Sequence, residues 1–303
     1  MFTELLDIFI EVLFPIFGVI AFAAVTDRYF HLDTKLLSKI NIYLLCPLLI
    51  LLSLENIELQ GQEFWMIVAM ALSSTIILVL IGVGLSAALK LDRKLSGAFI
   101  MCVFMGNTGG IGFSLAHFAF GEAGLQRAVL FFAIVAVINA PIAIFLSSRS
   151  TNTVRQSLAN IIKNPLIYAT ILGLSLNLMD WHLPLPLERF AEIPAKASVP
   201  FTLIMLGVQL ARIKMDGKLK PLVVASFTRL IIAPLLGLGL AILIGVSDLS
   251  MKISVVQIGM PAATFVAVFA TEFGSDAEFA TSVSLVTTVA SIVSLTGLML
   301  FLA

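Results

Sequence analysis

The sequence is short of charge. Of its 303 residues, 12% are charged and 60% are hydrophobic, whereas soluble domains have about 25% and about 45–50% of these classes. Basic and acidic residues number 18 each, so the formal net charge is zero. No basic run indicates a nucleic-acid partner. This composition excludes an ordinary soluble domain and is typical of an integral membrane protein in contact with a lipid bilayer.

Residues that carry catalytic or metal chemistry are scarce as well. The two cysteines, Cys46 and Cys102, lie in apolar stretches and give no disulfide framework or zinc-ligand spacing. The sequence has no H-E-x-x-H motif, no P-loop and no carboxylate pair in the middle of an apolar stretch. We therefore expect no catalytic residue, no metal site and no cofactor, and we expect neither an enzyme nor an ATP-driven pump.

Long apolar stretches make up most of the chain. Ten of them are long enough to cross about 30 Å of hydrocarbon, and the connections leave no room for a soluble domain. The sequence therefore predicts an all-α polytopic membrane protein with ten transmembrane helices. The stretches lie at roughly residues 5–25, 36–54, 64–89, 95–119, 124–146, 162–180, 190–211, 220–245, 251–273 and 276–301.

Basic residues concentrate in alternate connections between these stretches. Lys90, Arg93 and Lys94 lie together in the connection after the third stretch, whereas on the other side, before the ninth stretch, the one basic residue is Lys252 at the start of that stretch. Since lysine and arginine favour the cytoplasmic side, the whole pattern predicts that both termini lie on the non-cytoplasmic side. An even number of spans agrees with that placement.

The two halves of the chain share landmarks at a fixed offset of 153 residues. The pairs are Pro47 with Pro200, Gly106 with Gly259, and Phe120-Gly121 with Phe273-Gly274. Each half would hold five spans, so the second copy would enter the membrane from the opposite side, as in many secondary transporters. We therefore predict two inverted five-helix repeats, residues 1–149 and 150–303.

The offset also brings two helix breaks to the same place in the fourth span of each half. GNTGG, residues 106–110, corresponds to GMPAA, residues 259–263. Glycine and proline both interrupt helices, and broken backbone at membrane depth is tolerated only against protein or a water-filled cavity. Helix N-termini exposed by such breaks favour anions. The pattern predicts a binding site near the bilayer centre, although glycines and prolines also kink helices without binding anything.

With these motifs in view, the whole chain resembles the auxin efflux carrier family, within the superfamily of bile acid, arsenite and riboflavin transporter-like proteins. The resemblance rests on YLLCPLLIL, GNTGG, NPLIYATILGL, VPFTLIMLGVQL, RLIIAPLL and IGMPAATFVAVFATEFG, in this order. The first break is glycine-based here, whereas plant members have prolines at both crossings. A long cytoplasmic loop is also missing. Both differences favour a bacterial-type carrier, in a bacterial inner membrane, over an auxin carrier.

The resemblance implies a scaffold and a moving transport domain. Scaffold helices would lie within residues 5–54 and 162–211, and transport-domain helices within 64–146 and 220–301. Spans four and nine would cross at their breaks beside the substrate, and scaffold helices would form a homodimer. Hinges or helix breaks are expected at Pro47, Pro200, Gly109 and Pro261. The implied substrate contacts are Gly106, Asn107, Thr108, Gly109, Gly110, Gly259, Met260, Pro261 and Ala262.

Three further polar residues within spans are candidates for the site. Arg229 lies about nine residues into the eighth span, near the bilayer centre, where a charge is expensive unless it finds partners. It could hold an anionic substrate or bond freed carbonyls as a structural clamp. Asn139 and Gln257 precede Pro141 and Pro261, and each could contact substrate or bond a neighbouring helix.

The coupling ion, H⁺ or Na⁺, stays unresolved by the sequence. His117 is a candidate proton relay because it is the histidine that lies within a span, and Glu11 is the best-placed acid, one turn from Asp7. A satisfied interior histidine and an interfacial carboxylate are the alternatives. Uniport driven by the charge of the substrate also remains open.

The function that the sequence favours is secondary transport of small organic anions by alternating access, the candidates being mono- or dicarboxylates such as malate or malonate and also auxin-like acids. Three rivals remain. One is a sodium-coupled symporter similar to bile acid carriers, and another is a membrane receptor that binds without transporting. The third is an intramembrane enzyme, for which Ser114 and His117 are a weak pair of candidates.

Overall fold

The computed structural model describes residues 9–58, 61–146, 165–212, 218–246, 248–272 and 274–302. These residues are almost entirely helical and contain no β-strand, only one isolated bridging pair. The boundary between residues 149 and 150 predicted for the two repeats, together with Asp7 and Phe273, lies outside the described ranges. The helices are α1 Phe9–Phe30, α2 Thr34–Glu55, α3 Gly61–Ala88, α4 Arg93–Phe104, α5 Ile111–Leu146, α6 Pro165–Leu178, α7 Leu185–Ala211, α8 Leu219–Ile244, α9 Asp248–Ile258, α10 Phe265–Glu272 and α11 Ala277–Leu302.

Seven helices are long and apolar enough to cross a membrane, namely α1, α2, α3, α5, α7, α8 and α11. The described part of α6 has 14 residues, and α4, α9 and α10 have 12, 11 and 8. None of these four is long enough alone, since a span needs about 20 residues. The chain is thus a helical membrane protein with seven candidate spans in its described part. The arrangement of ten spans in two repeats stays a prediction.

Local chemistry explains where several helices begin and bend. Asp33 and Asp92 cap α2 and α4, because each carboxylate accepts two backbone N–H groups of the first turn. The helix α5 is interrupted at Gly121, whose φ of 66° and ψ of −159° suit only glycine. Pro47 and Pro200, the predicted hinges, lie inside α2 and α7, both of which continue through them.

The helices α1, α2, α6 and α7 pack closely on one another. Two glycines permit this approach. A Cβ at Gly207 of α7 would overlap the carbonyl oxygen of Ile20 in α1, and one at Gly173 of α6 would lie 2.8 Å from the carbonyl oxygen of Leu51 in α2. The remaining helices pack around α4 and α9, where Phe99 and Phe279 stack with their ring centroids 6.4 Å apart. Small residues at such contacts are typical of membrane helices.

Candidate functional site

The two predicted breaks lie side by side at the centre of the second group of helices. The first separates α4 from α5, and the second separates α9 from α10. They run antiparallel, with Gly106 bridged to Ala262. The backbone N–H of Asn107 donates to Pro261 O at 2.7 Å, and that of Ala263 donates to Met105 O at 2.9 Å. Each break therefore satisfies backbone groups that the other has freed, as burial at membrane depth requires.

Two hydroxyl groups of α11 form hydrogen bonds with the backbone of the second break. Thr287 Oγ1 accepts the backbone N–H of Ala262 at 3.1 Å, and Ser284 Oγ donates to Ala263 O at 3.0 Å. Both side chains are fully buried. Ser284 and Thr287 are three residues apart in the sequence, which places them on one face of a helix and suits close helix packing. Their bonds to the break were missed, because the sequence does not say which helix lies beside it.

Arg229 lies behind the paired breaks, in a π-helical turn of α8 over Thr228–Ile232. Its side chain is 1% exposed. Nε donates to Met260 O at 2.7 Å, and Nη1 donates to Val103 O at 3.1 Å and to Phe104 O at 3.4 Å. The guanidinium thus caps the C-terminal end of α4 and the turn that follows α9. This geometry favours the structural-clamp hypothesis over direct contact with a substrate.

A cavity of about 190 Å³ opens on the opposite face of the breaks, between them and α2 and α7. We call it the front cavity. None of its lining side chains is charged. Apolar walls with a few polar groups are typical of ligand sites. The lining comprises Asn41, Ile42, Cys46, Met105, Gly106, Asn107, Thr108, Gly109, Gly110, Phe132, Ala136, Asn139, Leu166, Thr202, Met205, Leu206, Ala263, Thr264, Phe265 and Phe269.

Asn107 and Thr108 are the polar residues of the first break that line this cavity, and the hydrogen bonds of Asn107 shape the break. Its Oδ1 accepts the backbone N–H of Gly110 at 3.1 Å, and its backbone oxygen accepts that of Gly112 at 3.1 Å. Its Nδ2 is buried and has no hydrogen-bond partner among the described residues. The amide therefore holds the N-terminus of α5 and leaves one donor group for a ligand.

A second, smaller cavity of about 20 Å³ lies behind the breaks, among α3, α5, α8 and α9. We call it the back cavity. Its polar lining is Ser74, Thr75, Thr108, Asn139, Arg229 and Gln257, and Asn139 and Thr108 line the front cavity as well. Gln257 is fully buried. It packs where Gly112 has no side chain, since a Cβ there would overlap Gln257 Oε1.

Some of the predicted substrate contacts line one of these cavities, and others line neither. Five residues of the first break, Gly106 to Gly110, line the front cavity together with Asn139. Gly259, Met260, Pro261 and Ala262 are buried and line neither cavity, while the next residues, Ala263 and Thr264, line the front one. Asn41 and Thr202 were missed as lining residues, although each is a polar residue inside a long apolar stretch. Thr202 Oγ1 donates to Asn41 Oδ1 at 3.2 Å, which fixes the two together.

The candidate proton carriers lie elsewhere. His117 of α5 lines a larger cavity, about 710 Å³, between α5 and α1, α2 and α7. Its Nδ1 is 3.8 Å from Glu122 Oε2. Glu188, Glu192 and Lys196 of α7 line the same cavity. Glu11 is exposed and does not line it, so the structure does not bring His117 and Glu11 together.

Comparison with known proteins assigns the chain to a family. Residues 8–157 and 147–299 match the family described as membrane transport protein. The chain is 25% identical to an uncharacterized transporter of Methanothermobacter thermautotrophicus over 87% of each chain. It is 26% identical to an uncharacterized transporter of Methanocaldococcus jannaschii, over 85% of this chain and 86% of the relative. It is also 26% identical to a Rhizobium meliloti protein named "Putative malonate transporter", over 94% of this chain and 93% of the relative. The protein therefore belongs to the membrane transport protein family, the auxin efflux carriers, and is a membrane transporter.

Proposed function

We propose that the protein is a secondary transporter of small organic anions, mono- or dicarboxylates, which bind in the front cavity. The observation that carries the proposal is the combination, at one place, of paired helix breaks, a cavity and the unpartnered Nδ2 of Asn107. The substrates are small, because about 190 Å³ is below the roughly 300–1,000 Å³ of drug-sized ligand pockets.

Positive charge reaches the front cavity without a cationic side chain in its lining. The N-terminus of α5 carries about half an elementary charge, and it begins directly after the glycines that line the cavity. Arg229 adds a full charge behind Gly106. Because Gly106 has no side chain, the guanidinium lies directly against its backbone. Such an arrangement attracts an anion through a low-dielectric wall and does not trap it in a direct ion pair, which suits a carrier that must release its substrate.

The name of one relative supports this substrate class. The name of the Rhizobium meliloti protein refers to malonate, a small dicarboxylate. A dianion would need more compensation than a monoanion in a cavity lined by neutral side chains. We propose that carboxylates with one charge, or with one proton retained, are the preferred form in the front cavity.

Transport proceeds by alternating access in this proposal. The front cavity and the larger cavity follow one another along α2 and α7, since Asn41 to Cys46 line the first and Leu49 to Asn56 line the second. The scaffold helices α1, α2, α6 and α7 stay fixed, and the helices around α4 and α9 move. The homodimer of the proposal forms through the scaffold helices. The proposal also includes two inverted five-helix repeats. It places both termini on the non-cytoplasmic side of a bacterial inner membrane. The coupling ion, H⁺ or Na⁺, is left open.

The test is uptake of labelled carboxylates into proteoliposomes. The panel contains malonate, malate, pyruvate and indole acetate, and the pH, sodium and voltage gradients are varied separately. We expect saturable uptake of at least one anion. Asn107→Ala is expected to raise KM at least tenfold, because it removes an amide that lines the cavity and the cap on Gly110 N.

Thr26→Ala is the control. Its hydroxyl bonds Phe22 O in its own helix, and it lines neither the front cavity nor the larger one, so KM should change little. If the folded protein takes up no anion of the panel under any gradient, the proposed function is wrong. If uptake occurs and both variants behave alike, the site is not at the breaks.

A further inference from the structure

Gln257 is the most unusual polar group within the helices. It is 0% exposed, and neither Oε1 nor Nε2 has a hydrogen-bond partner among the described residues. Asn139 presents a second buried oxygen, Oδ1, that also lacks a partner there. Buried polar groups in native proteins are nearly always bonded to protein or to ordered water. Both side chains line the back cavity, so their missing partner has to fit there.

We propose that the back cavity is a binding site for a single internal water molecule, which bridges Gln257 of α9 and Asn139 of α5. A cavity needs about 10–15 Å³ of probe-occupied volume to hold one water, and the back cavity has about 20 Å³. This is about a tenth of the volume of the front cavity, so the back cavity suits a molecule of the size of water. The inference does not depend on which substrate the protein transports.

The polar groups around the cavity match water in kind as well as in number. Gln257 offers both a donor and acceptors, and Asn139 Oδ1 offers acceptors. The hydroxyl protons of Ser74 and Thr75 are directed at Ala71 O, at 3.2 and 2.8 Å, which leaves their oxygens free to accept. A buried water makes about three hydrogen bonds, and this lining supplies them whichever way the two amides are turned.

Simple ions fit the same lining less well. A sodium ion would lie beside the guanidinium of Arg229, which also lines the cavity and has no carboxylate bonded to it among the described residues. A chloride ion would need both amides turned with their NH2 groups inward, and it would still face the hydroxyl oxygens of Ser74 and Thr75, whose protons are directed at Ala71 O. Only a neutral molecule that both donates and accepts suits a mixed lining of this kind.

The bridging water would connect the back cavity to the front cavity through Asn139. Asn139 lines both cavities, so a water held by Gln257 would anchor Asn139 from behind and leave the rest of its amide to the front. The same water would connect α9 to α5, which pack against each other.

Water-edited solid-state NMR of the full chain in lipid bilayers tests the site. Gln257 is the only glutamine followed by isoleucine, so combined labelling with ¹³C,¹⁵N-glutamine and ¹⁵N-isoleucine assigns it without any mutation. We expect rapid magnetisation transfer from water to the Gln257 side-chain amide despite its burial, at a rate at least threefold above that of the buried backbone N–H of Ile258. Transfer no faster than at Ile258 would overturn the proposal.

Two further measurements separate water from an ion. Replacing sodium by potassium, or chloride by gluconate, should leave the Gln257 amide shifts unchanged, and a shift with either exchange would replace the water by that ion. Gln257→Met, of similar shape, removes one of the two proposed water ligands, so its effect is measured at the other, Asn139, the only asparagine followed by alanine. Water transfer to the Asn139 side chain should slow in Gln257→Met and stay unchanged in Gln126→Met, whose amide bonds Asn56 O; unchanged transfer in both variants would contradict the bridge. The labelled wild-type chain carries the test even where the Gln257 variant fails to fold.

Discussion

The two breaks lie side by side and are held by different means. In the first, glycines leave space that neighbouring side chains fill. A Cβ at Gly106 would overlap Arg229 Nη2, and one at Gly110 would overlap Asn107 Oδ1. At Gly109 it would lie 2.7 Å from Phe132 Cε2. The first break therefore depends on the absence of side chains.

The second break depends instead on hydrogen bonds from its surroundings. A Cβ at Gly259 would lie 3.0 Å from Leu298 Cδ2 and 3.1 Å from Pro234 Cβ, which is tight but not an overlap. Pro261 has no N–H to satisfy, and Thr287 and Ser284 bond the residues that follow it. Since the first break lines the front cavity far more than the second, the glycine-based side is the one open to a ligand. The proline-based break supports the first break.

The largest expected effect comes from adding one methyl group to each break. Gly106→Ala places a Cβ on the guanidinium of Arg229, which is held by three carbonyls and cannot move away. We expect loss of the folded protein or a destabilisation of about 3 kcal/mol or more, at the upper end of overpacking effects.

Gly259→Ala is the matched variant in the other break. Its nearest neighbour is the end of a flexible leucine side chain, so we expect at most about 1–2 kcal/mol. Thermal melts in detergent with a lipid-binding fluorophore measure both. Equal effects, or a larger effect at Gly259, would contradict the contrast between the two breaks.

The next effect concerns the residue that joins the breaks. Arg229→Lys keeps a positive charge but cannot reach Met260 O, Val103 O and Phe104 O with one ammonium group. Unpaired buried carbonyls cost about 1–3 kcal/mol each, so we expect about 3 kcal/mol of destabilisation. A lysine variant as stable as the wild type would show that only the charge matters.

Arg127→Lys is the control for that substitution. Arg127 binds Glu63 and Ser250 at the ends of α3 and α9, outside the breaks. We expect a loss of about 1 kcal/mol, as for a partly exposed ion pair.

Much of this arrangement could be predicted from the sequence, because glycine, proline and apolar length act locally. The offset that pairs Gly106 with Gly259 identified both breaks, and the structure places them in contact. The pairing partner of Gly106 is Ala262, three residues further on, because antiparallel segments pair in opposite directions whereas a sequence offset runs in one.

The partners of the breaks could not be predicted in the same way. The sequence allowed Arg229 to bind substrate or carbonyls, and the choice depends on which face of α8 packs against α4. The hydroxyls of Thr287 and Ser284 repeat with the period of any packing face. Whether a side chain caps a break or packs between helices is decided by tertiary contacts that a single sequence does not contain.

A smaller effect is expected at the hydrogen bond between Thr287 and the second break. Thr287→Val is nearly isosteric and leaves the N–H of Ala262 buried without its acceptor. We expect about 1–3 kcal/mol of destabilisation and faster hydrogen exchange at Ala262. The control is Thr296→Val, whose hydroxyl bonds Ile292 O in its own helix and should matter by about 0.5 kcal/mol or less. Unchanged exchange at Ala262 would remove Thr287 from the account of this break.

The smallest effect lies at the ends of the helices around the breaks. Asp276 precedes α11, where it caps Phe279 N and pairs with Lys218 before α8. Partial burial opposes ionisation, but the hydrogen bond from Lys218 and the backbone bonds outweigh it and lower the pKa of Asp276 below its ordinary 3.8. A lowered folded pKa means that the pairing stabilises the protein above about pH 4 and is lost as the pH falls through that lowered value.

Asp276→Asn keeps the cap, since asparagine caps helices as well as aspartate, but it removes the charge. We expect the variant to be less stable than wild type by about 1 kcal/mol or less at pH 7, with a difference that shrinks towards pH 3. Asp92→Asn, at the cap of α4, is the control, because its carboxylate bonds the backbone N–H groups of Lys94 and Leu95. Melting temperatures of the three proteins at pH 7 and pH 3 decide the matter. A difference for Asp276→Asn that stays constant with pH would mean that Lys218 contributes nothing through its charge, and that the ends of α8 and α11 are held by the cap alone.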